Sequence, residues 1–526
     1  MRIQRSRHSV LIIGAGLAGC ITALRLAGQG IEVRLLSSGS EAQPANSVLA
    51  QGGIIYRSSD KGDAARLEED IMTAGHRINN PEAVKFLAVE GPKAVDEILI
   101  DRLDVPFDRK DASCRDLTRE AGHSSARILH CADHTGRSIM ESVYQAVRDD
   151  PYIEICDGCS AVDLLTSHHH SRGMTYRYQL ENRCCGAYVL NEATGIVETM
   201  LADVTVLATG GAGRVYLHSS NSRAATGSGI TMAARAMVRL MNMEFMQFHP
   251  TTLFYAEPRR FLITEAMRGE GARLFAGKND YFMERYDSRG DLAPRDIVSR
   301  SIVDVLLRNG EPCVFLDLGG VRHKLEERFP TVLQNCLERG IDIRSEPIPV
   351  VPAAHYFCGG ILVDLKGRTS LNRLYSVGEC ACTGVHGANR LASTSLLEAL
   401  LWGKAAGDDI AALIREGPAP CKRLYGEIED WKVQGDERND DPALIAQDWA
   451  TIHNTMWNYV GITRTGPRLA RAFEELRDLS RNIHDFYRST PLSRAVLDLF
   501  HGCRTAYLIT QAALRNTRDI GCHHRV

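Results

Sequence analysis

Residues 9–19 read SVLIIGAGLAG, an apolar run that ends in three glycines at the spacing G-x-G-x-x-G. Ile21, Leu24 and Leu26 follow at helical spacing, and a second apolar run covers residues 32–36. This order predicts a strand, a tight glycine turn, a helix and a second, parallel strand. The chain therefore begins with the βαβ unit of a doubly wound α/β domain.

The glycine turn predicts a dinucleotide site, with the helix N-terminus facing the phosphates. The first glycine permits the tight turn, the second lets the backbone approach a pyrophosphate, and the third lets the helix pack close to the strand. The loop residues expected at the cofactor are Gly14, Ala15, Gly16, Leu17, Ala18 and Gly19. Ser37 and Ser38 replace the acidic residue that usually binds the ribose, and we expect these serines to bind it instead.

Two distant segments return the chain to the nucleotide. VTVLATGG, residues 204–211, reads as a strand followed by a glycine turn, and it contains Thr209 and Gly210. Residues 374–400 read as a strand, a glycine-rich loop and a helix that begins near Ser395. The N-terminus of that helix is suited to stabilise negative charge on a reduced flavin. Together the segments favour FAD over a nicotinamide cofactor.

Composition limits the other classes of function. The chain has 526 residues, which predicts two to four domains, and a net charge of -3 that does not suggest nucleic acid. No apolar run is long enough for a membrane span. The basic N-terminus leads straight into the glycine loop without a signal-peptide pattern, so we expect a cytoplasmic protein.

The cysteine and histidine patterns do not predict a metal site. The 15 cysteines are an odd number at scattered spacings, which indicates reduced thiols. Cys156 and Cys159 form a C-x-x-C pair, but Cys184 and Cys185 are adjacent and poorly placed to ligate one tetrahedral ion. The histidines at 168–170 are expected in a solvated loop.

Further segments identify the chain as a member of the fumarate reductase and succinate dehydrogenase flavoprotein superfamily. They are NSVLAQGG (46–53), FHPT (248–251), TEAMRGEGA (264–272), APRDIVSR (293–300), PAAHYFCGG (352–360) and HGANRLASTSLLE (386–398), in this order. The resemblance implies a C4 dicarboxylate bound between the flavin and a capping domain that closes over it.

The resemblance also assigns residues to the substrate. The expected substrate ligands are His249, His355, Arg390, Thr264 and Ser395. A guanidinium gives bidentate recognition of a carboxylate, and imidazoles add single hydrogen bonds. Arg295 matches the arginine that shuttles a proton, although an ion pair with Asp296 is the alternative. As a residue of the cap, Arg295 is expected at the flavin only in the closed state.

The flavin is expected to be noncovalent. Covalent relatives carry a histidine five residues before the glutamine of AQGG, and Asn46 occupies that position here. The further expected FAD contacts are Asn46, Ser47, Ala50, Gln51, Gly52, Gly53, Ala161, Glu379, Ser395 and Leu396. Ser228 stands where relatives usually carry an aspartate, so either one FAD contact or one loop anchor is expected to differ from theirs.

LTREAGHS, residues 117–124, resembles the corresponding loop of the L-aspartate oxidases. In it, Glu120 would attract the ammonium of L-aspartate and disfavour succinate, which has no group to pair with a carboxylate. The resemblance implies oxidation of L-aspartate to iminoaspartate by a monomer or homodimer, with dioxygen or fumarate as acceptor. Quinolinate synthase, at the start of NAD biosynthesis, is the implied metabolic partner.

Three alternatives stay open at this point: a soluble fumarate reductase, the flavoprotein subunit of a succinate dehydrogenase-type complex, and a noncatalytic FAD-binding relative. The first would use the same histidines and arginines, although Glu120 speaks against it. Asn46 speaks against the second, and the filled catalytic positions speak against the third.

The expected architecture is a discontinuous, doubly wound FAD-binding domain of residues 1–235 and 353–415, with an α+β capping domain of residues 236–352 inserted into it. A helical domain of residues 416–526 follows the linker EGPAP (416–420). Leu469, Phe473, Leu476 and Leu479 indicate amphipathic helices in that domain. The last residues, including His523 and His524, are expected to fray.

Overall fold

The computed structural model describes residues 5–38, 45–111, 114–255, 260–277, 279–321, 325–417, 422–433, 435 and 442–526. Residues 418–420 of the expected linker lie outside this set. The strands are β1 (Arg5–Ile13), β2 (Val33–Ser37), β3 (Ile54–Ile55), β4 (Leu117–Thr118), β5 (Ile128–Leu129), β6 (Ile153–Asp157), β7 (Cys159–Thr166), β8 (Cys184–Asn191), β9 (Ile196–Leu207), β10 (Leu240–Met241), β11 (Met246–Leu253), β12 (Arg273–Phe275), β13 (Val314–Asp317), β14 (Ile348–Phe357), β15 (Gly360–Leu362), β16 (Leu374–Ser376), β17 (Ala381–Cys382), β18 (Thr463–Arg464) and β19 (His524–Arg525).

The α-helices are α1 (Leu17–Ala27), α2 (Asp63–Ala74), α3 (Pro81–Ala94), α4 (Thr135–Asp149), α5 (Ser167–His170), α6 (Met174–Arg177), α7 (Ser228–Arg235), α8 (Ala266–Gly269), α9 (Arg295–Asn309), α10 (Leu325–Arg328), α11 (Pro330–Leu337), α12 (Thr394–Glu416), α13 (Lys422–Glu427), α14 (Pro442–Val460), α15 (Gly466–Ser489) and α16 (Arg494–Arg515). A π-helical stretch, Val95–Arg102, continues α3.

The main sheet confirms the predicted βαβ start. Its order is β6-β2-β1-β9-β8-β7, with β16 also paired to β9. β1 is parallel to β2 and β9, and Ile13 lies opposite both Leu36 and Leu207. The carboxyl ends of these three strands therefore meet at one edge, which is where open α/β sheets bind ligands. The expected α/β fold class is correct, with β7 and β8 added as antiparallel strands.

A second sheet, β11-β14-β13-β12, is antiparallel and carries its own apolar core together with α9. Residues such as Ile263, Val298, Leu316 and Ile348 are fully buried there. β14 runs through the predicted boundary between residues 352 and 353, so one strand connects the cap to the main domain. The boundaries of the domains stay predictions.

The helices α14, α15 and α16 pack on the main sheet and share one apolar core with it. Leu469 and Leu476 of α15 are buried, as the amphipathic pattern predicted. α16 also packs against α7, where Thr231 donates to the carbonyl of His501. This packing brings the beginning of α16 close to the edge of the sheet.

The expectation of a frayed C-terminus is wrong. His523 is fully buried, and its Nδ1 lies 2.7 Å from Nη1 of Arg464. β19 pairs with β18, and the backbone of Cys522 donates to the carbonyl of Ala388 at 2.9 Å. A buried guanidinium and a strand pairing hold the tail, and neither is visible in the tail's own sequence.

The histidine run is also more ordered than expected. Its residues form α5 instead of a loop, and the backbone of Thr166 donates to Nδ1 of His170 at 3.1 Å.

Candidate active site

A cavity of about 1380 Å³ opens at the carboxyl edge of the main sheet, below the cap. Ligand sites usually have volumes of about 300–1,000 Å³, so there is room for a large cofactor together with a small substrate. Of the residues expected at the cofactor or the substrate, Gly19 alone does not line it. A Cβ atom at Gly19 would overlap the carbonyl oxygen of Gly14, so this glycine permits the close packing of α1 on the strand.

The phosphate end of the cavity is built from backbone. Gly14 has a φ of 116°, and a Cβ atom there would overlap the carbonyl of Ala208. α1 starts at Leu17 without an acidic residue in its first turn, and its cap Gly16 has no side chain to satisfy the N–H groups. Free N–H groups at a helix N-terminus bind phosphates. In the described part of the chain, the buried Thr209 Oγ1 and Gln51 Oε1 have no hydrogen-bond partner.

Those features fit FAD: a backbone cradle for a pyrophosphate, and buried polar atoms that a ligand would satisfy. At the opposite end, α12 begins at Thr394, and Ser395 and Leu396 in its first turn line the cavity. Its N-terminus therefore faces the space where a flavin ring would lie.

Glu379 lies beside that space. Its Oε1 accepts from the backbone of Phe357 at 2.9 Å, and its Oε2 lies 3.5 Å from Nδ2 of Asn46. Burial raises the pKa of Glu379 to about 7. Asn46 also accepts from the backbone of Ser222 at 2.8 Å. Asn46, which stands where covalent relatives carry a histidine, is thus held by hydrogen bonds and has no ring nitrogen to bond to a flavin.

Two guanidiniums line the cavity, one carried by α9 and one by the loop before α12. Arg295, in the first turn of the cap helix α9, donates from Nε to Glu265 Oε2 at 2.5 Å. Arg390 donates from Nη1 to Ser395 Oγ at 3.3 Å. Both also donate to Oε1 of Gln247, at 3.4 Å from Arg295 and 3.1 Å from Arg390. Gln247 thus fixes the relative orientation of the two cations.

No sequence motif indicated Gln247. Strand alternation with His249 does not indicate it either, because the pairing of β11 with β14 shifts register between Gln247 and Phe248 and Gln247 does not line the cavity.

The ion pair considered for Arg295 is wrong. Asp296 faces Arg300 instead, at 3.4 Å. Arg295 lines the same cavity as Ser395 and Leu396.

The two histidines are neutral hydrogen-bonding groups. His249 uses Nδ1 for the backbone of Thr251, and His355 uses Nδ1 for Ser220 Oγ at 2.9 Å. Their ring centroids are 5.2 Å apart. Burial lowers the pKa of each well below 6.5, and the nearby guanidinium of Arg295 lowers it further. Each ring therefore keeps Nε2 for a ligand and adds no positive charge near neutral pH.

Two carboxylates balance the guanidiniums. Ser393 donates from Oγ to Glu120 Oε2 at 2.7 Å, and burial raises the pKa of Glu120 although Arg295 opposes this. Burial also disfavours the charge on Glu265, but Arg295 and Arg268 outweigh it and hold its pKa below the ordinary value. Glu265 is therefore ionised and paired, whereas no guanidinium of the residues that the structure describes is bonded to Glu120.

Thr264 is buried and lines the cavity near these groups. Its Oγ1 accepts only a long contact from the backbone of Ala266, at 3.4 Å, so its hydroxyl is available to a ligand.

The helical domain adds residues that no motif indicated. They are Arg494, Ala495, Leu497, Asp498 and His501, all from the first half of α16. Their sequence is an ordinary amphipathic helix, so its pattern held no signal for a cofactor site.

No group of three or more histidine, cysteine or acidic side chains is arranged to hold a metal ion within the described ranges. Cys156 lies on β6 and Cys159 on β7, which follow each other along the chain but form opposite edges of the main sheet. Burial raises the pKa of Cys159 to about 11. Across the part of the chain that the structure describes, no helix has both the length and the apolar character of a membrane span.

Residues 9–396 match the family model of the FAD binding domain. The chain is 41% identical to the L-aspartate oxidase of Pseudomonas aeruginosa, over 99% of this chain and 95% of that protein. The chain belongs to the L-aspartate oxidase family. A member from Arabidopsis thaliana, described as chloroplastic, is 36% identical over 98% of this chain and 80% of its own length.

Solved structures of fumarate reductases are similar as well. An Escherichia coli quinol fumarate reductase superposes with a TM-score of 0.86 and 26% identity, covering all of this chain and 92% of the other. The family matches make FAD the cofactor of the cavity, in agreement with its glycine cradle.

Proposed function

We propose that the protein oxidises L-aspartate to iminoaspartate at this cavity, with the electron pair passing to dioxygen, giving hydrogen peroxide, or to fumarate, giving succinate. The observation that carries the proposal is the position of Glu120. It is a partly buried carboxylate to which no guanidinium of the described residues is bonded, in a cavity that also presents Arg295 and Arg390.

The arrangement of charge matches an amino dicarboxylate. Arg390 and Arg295 supply guanidiniums for the two carboxylates, and His249 and His355 supply neutral hydrogen bonds. Glu120 supplies the negative charge for an ammonium. Succinate would satisfy the first two requirements but would leave the partly buried Glu120 without a cation, which costs free energy.

When bound, FAD accepts the two electrons that leave substrate C2. The residues of the chain bind and orient the substrate for this step. Glu120 Oε1 or Oε2 is placed to take a proton from the substrate ammonium, and its raised pKa suits a proton acceptor. Glu265 and Gln247 hold Arg295 in position.

We further propose that FAD is held noncovalently, because Asn46 stands in the histidine position. The domains 1–235, 236–352, 353–415 and 416–526, a cytoplasmic location and a monomeric or homodimeric state belong to the same proposal. Iminoaspartate would be passed to quinolinate synthase for NAD biosynthesis.

The test is anaerobic bleaching of the oxidised flavin absorbance by L-aspartate and, separately, by succinate. Oxygen is then readmitted and hydrogen peroxide is measured. We expect bleaching by L-aspartate and peroxide on reoxidation. Bleaching by succinate alone would instead indicate a dicarboxylate dehydrogenase.

A further inference from the structure

The end of β2 lacks the acidic residue that dinucleotide-binding domains use for the adenosine ribose. β2 ends at Ser37 and is followed by Ser38. Because β2 is the parallel neighbour of β1, this point lies beside the glycine loop. The two residues at the end of β2 thus offer hydroxyl groups and no charge to the adenosine of a bound FAD, while Asp157, paired in register with Ser37 at the end of β6, also lines the cavity.

A carboxylate reaches this place from another strand. Glu192 follows directly after β8, and its Oε1 accepts from Ser160 Oγ at 2.6 Å and from Arg494 Nη1 at 2.7 Å. The same Nη1 donates to the backbone carbonyl of Ser38 at 3.0 Å. One nitrogen atom thus joins the carboxylate of Glu192 to the end of β2, and all four residues line the cofactor cavity.

Arg494 is itself held in place. It is the first residue of α16, and its Nε donates to Asp498 Oδ1 at 2.9 Å. Asp498 accepts at Oδ2 from Arg214 Nη1, also at 2.9 Å, and Arg214 stacks on Trp449 with 4.3 Å from its Cζ to the ring centroid. Alternating charges therefore connect Glu192 to the helical domain, which reduces the conformational freedom that FAD binding would have to remove.

We propose that Glu192, positioned by Arg494, accepts hydrogen bonds from the ribose hydroxyls of the FAD adenosine. Glu192 Oε1 is used by Ser160 and Arg494, and Oε2 makes no hydrogen bond to the residues that the structure describes. The acid that β2 lacks is thus supplied from the end of β8, and α16 becomes part of the cofactor site. The inference rests on FAD being the cofactor, and it is independent of the substrate.

The experiment measures flavin affinity of the apoprotein by the change in flavin fluorescence, so it does not depend on turnover. FAD is compared with FMN, which lacks the adenosine. Glu192→Gln should weaken FAD binding about tenfold, because a hydrogen bond to a charged acceptor is replaced by a neutral one. FMN binding should not change. Glu198→Gln, on β9 of the same sheet and outside the cavity, is the matched control.

Arg494 acts through Glu192, so its removal should add little once the carboxylate is gone. Arg494→Gln should weaken FAD binding by a similar factor, and the double variant should bind FAD no more weakly than the weaker single variant. Multiplied losses in the double variant would show that Arg494 does not act by positioning Glu192.

A ligand-side measurement keeps the test independent of how the variants fold. The wild-type protein should bind an FAD analogue without the two adenosine ribose hydroxyls at least about tenfold more weakly than FAD, because the donors of the hydrogen bonds to the charged carboxylate are lost. Glu192→Gln should distinguish the two ligands less than the wild type does, because it has only a neutral hydrogen bond to lose. Equal affinity of the wild type for both ligands, or an equal loss of FAD and FMN binding in Glu192→Gln, would overturn the proposal.

Discussion

The charge on Glu120 is the property that most directly tests how the site selects its substrate. Replacing Glu120 by glutamine keeps the size of the side chain and an oxygen for the hydroxyl of Ser393, which now donates at 2.7 Å. The change removes only the negative charge. A glutamine in this place can still accept a hydrogen bond from an ammonium, but it is a weaker partner.

The expected loss follows from the strength of the two hydrogen bonds. A bond to a charged group contributes about 1.5–3 kcal/mol and a neutral one about 0.5–1.5 kcal/mol. Loss of the charge should therefore weaken L-aspartate binding by about 1.5 kcal/mol, which is about tenfold in Kd. Succinate should bind no more weakly than before, because it gains nothing from the carboxylate. The ratio of the two affinities should fall at least about tenfold.

The assay is an anaerobic titration of the flavin absorbance with L-aspartate and with succinate. Glu82→Gln is the control, because Glu82 is an exposed carboxylate at the start of α3. The pH dependence gives a second check. The pKa of Glu120 is raised, so L-aspartate binding should weaken as the pH falls through that raised value. The Glu120→Gln variant should not show this pH dependence. An affinity ratio equal to that of Glu82→Gln would contradict the role of Glu120.

Three further outcomes are expected. Arg295→Leu should lower turnover at least about a hundredfold while flavin absorbance shows FAD still bound, because a cation at the reacting centre is lost; retained turnover would remove Arg295 from the mechanism. Burial raises the pKa of Glu379 from 4.5 to about 7. The stability that the apoprotein owes to the protonated side chain is fully present below pH 4.5 and is lost as the pH rises through about 7. The free energy of unfolding should fall by about 3 kcal/mol over this pH range, at 1.36 kcal/mol per pKa unit. Urea unfolding of Glu379→Gln over the same range should not show this fall. His523→Ala should lower the free energy of unfolding by about 2 kcal/mol, because Arg464 loses a buried partner. His524 is partly exposed, so His524→Ala should change this free energy by less than about 1 kcal/mol. Equal effects of the two substitutions would show that the tail is not held through His523.

Much of the cofactor site was predictable because its signals are local. Glycine is required where φ is positive or where backbones touch, as at Gly14, and such positions can be read from spacing alone. Arg295, Arg390 and Glu120 were predicted as site residues from motifs of a known superfamily. The structure brings all of them to the wall of one cavity.

The hydrogen-bond and ion-pair partners of these residues were harder to predict from the sequence. The pairing of Arg295 with Glu265 instead of Asp296 depends on where the loop before α8 lies relative to the first turn of α9. Adjacent residues on a helix point in different directions, so a charge next in sequence is a poor partner. Gln247 was overlooked because its role appears only when two domains place a guanidinium on each side of it.

The sequence alone established the βαβ start, the order of the motif segments and the chemistry of the cavity wall, because each depends on a few neighbouring residues and their spacing. Tertiary structure decided which remote elements complete the wall. Arg494 reaches the carbonyl of Ser38 across 456 positions of the chain, and the tail docks through Arg464 and Ala388. Such contacts follow from the packing of elements that are remote in sequence, and no periodicity within an element encodes them.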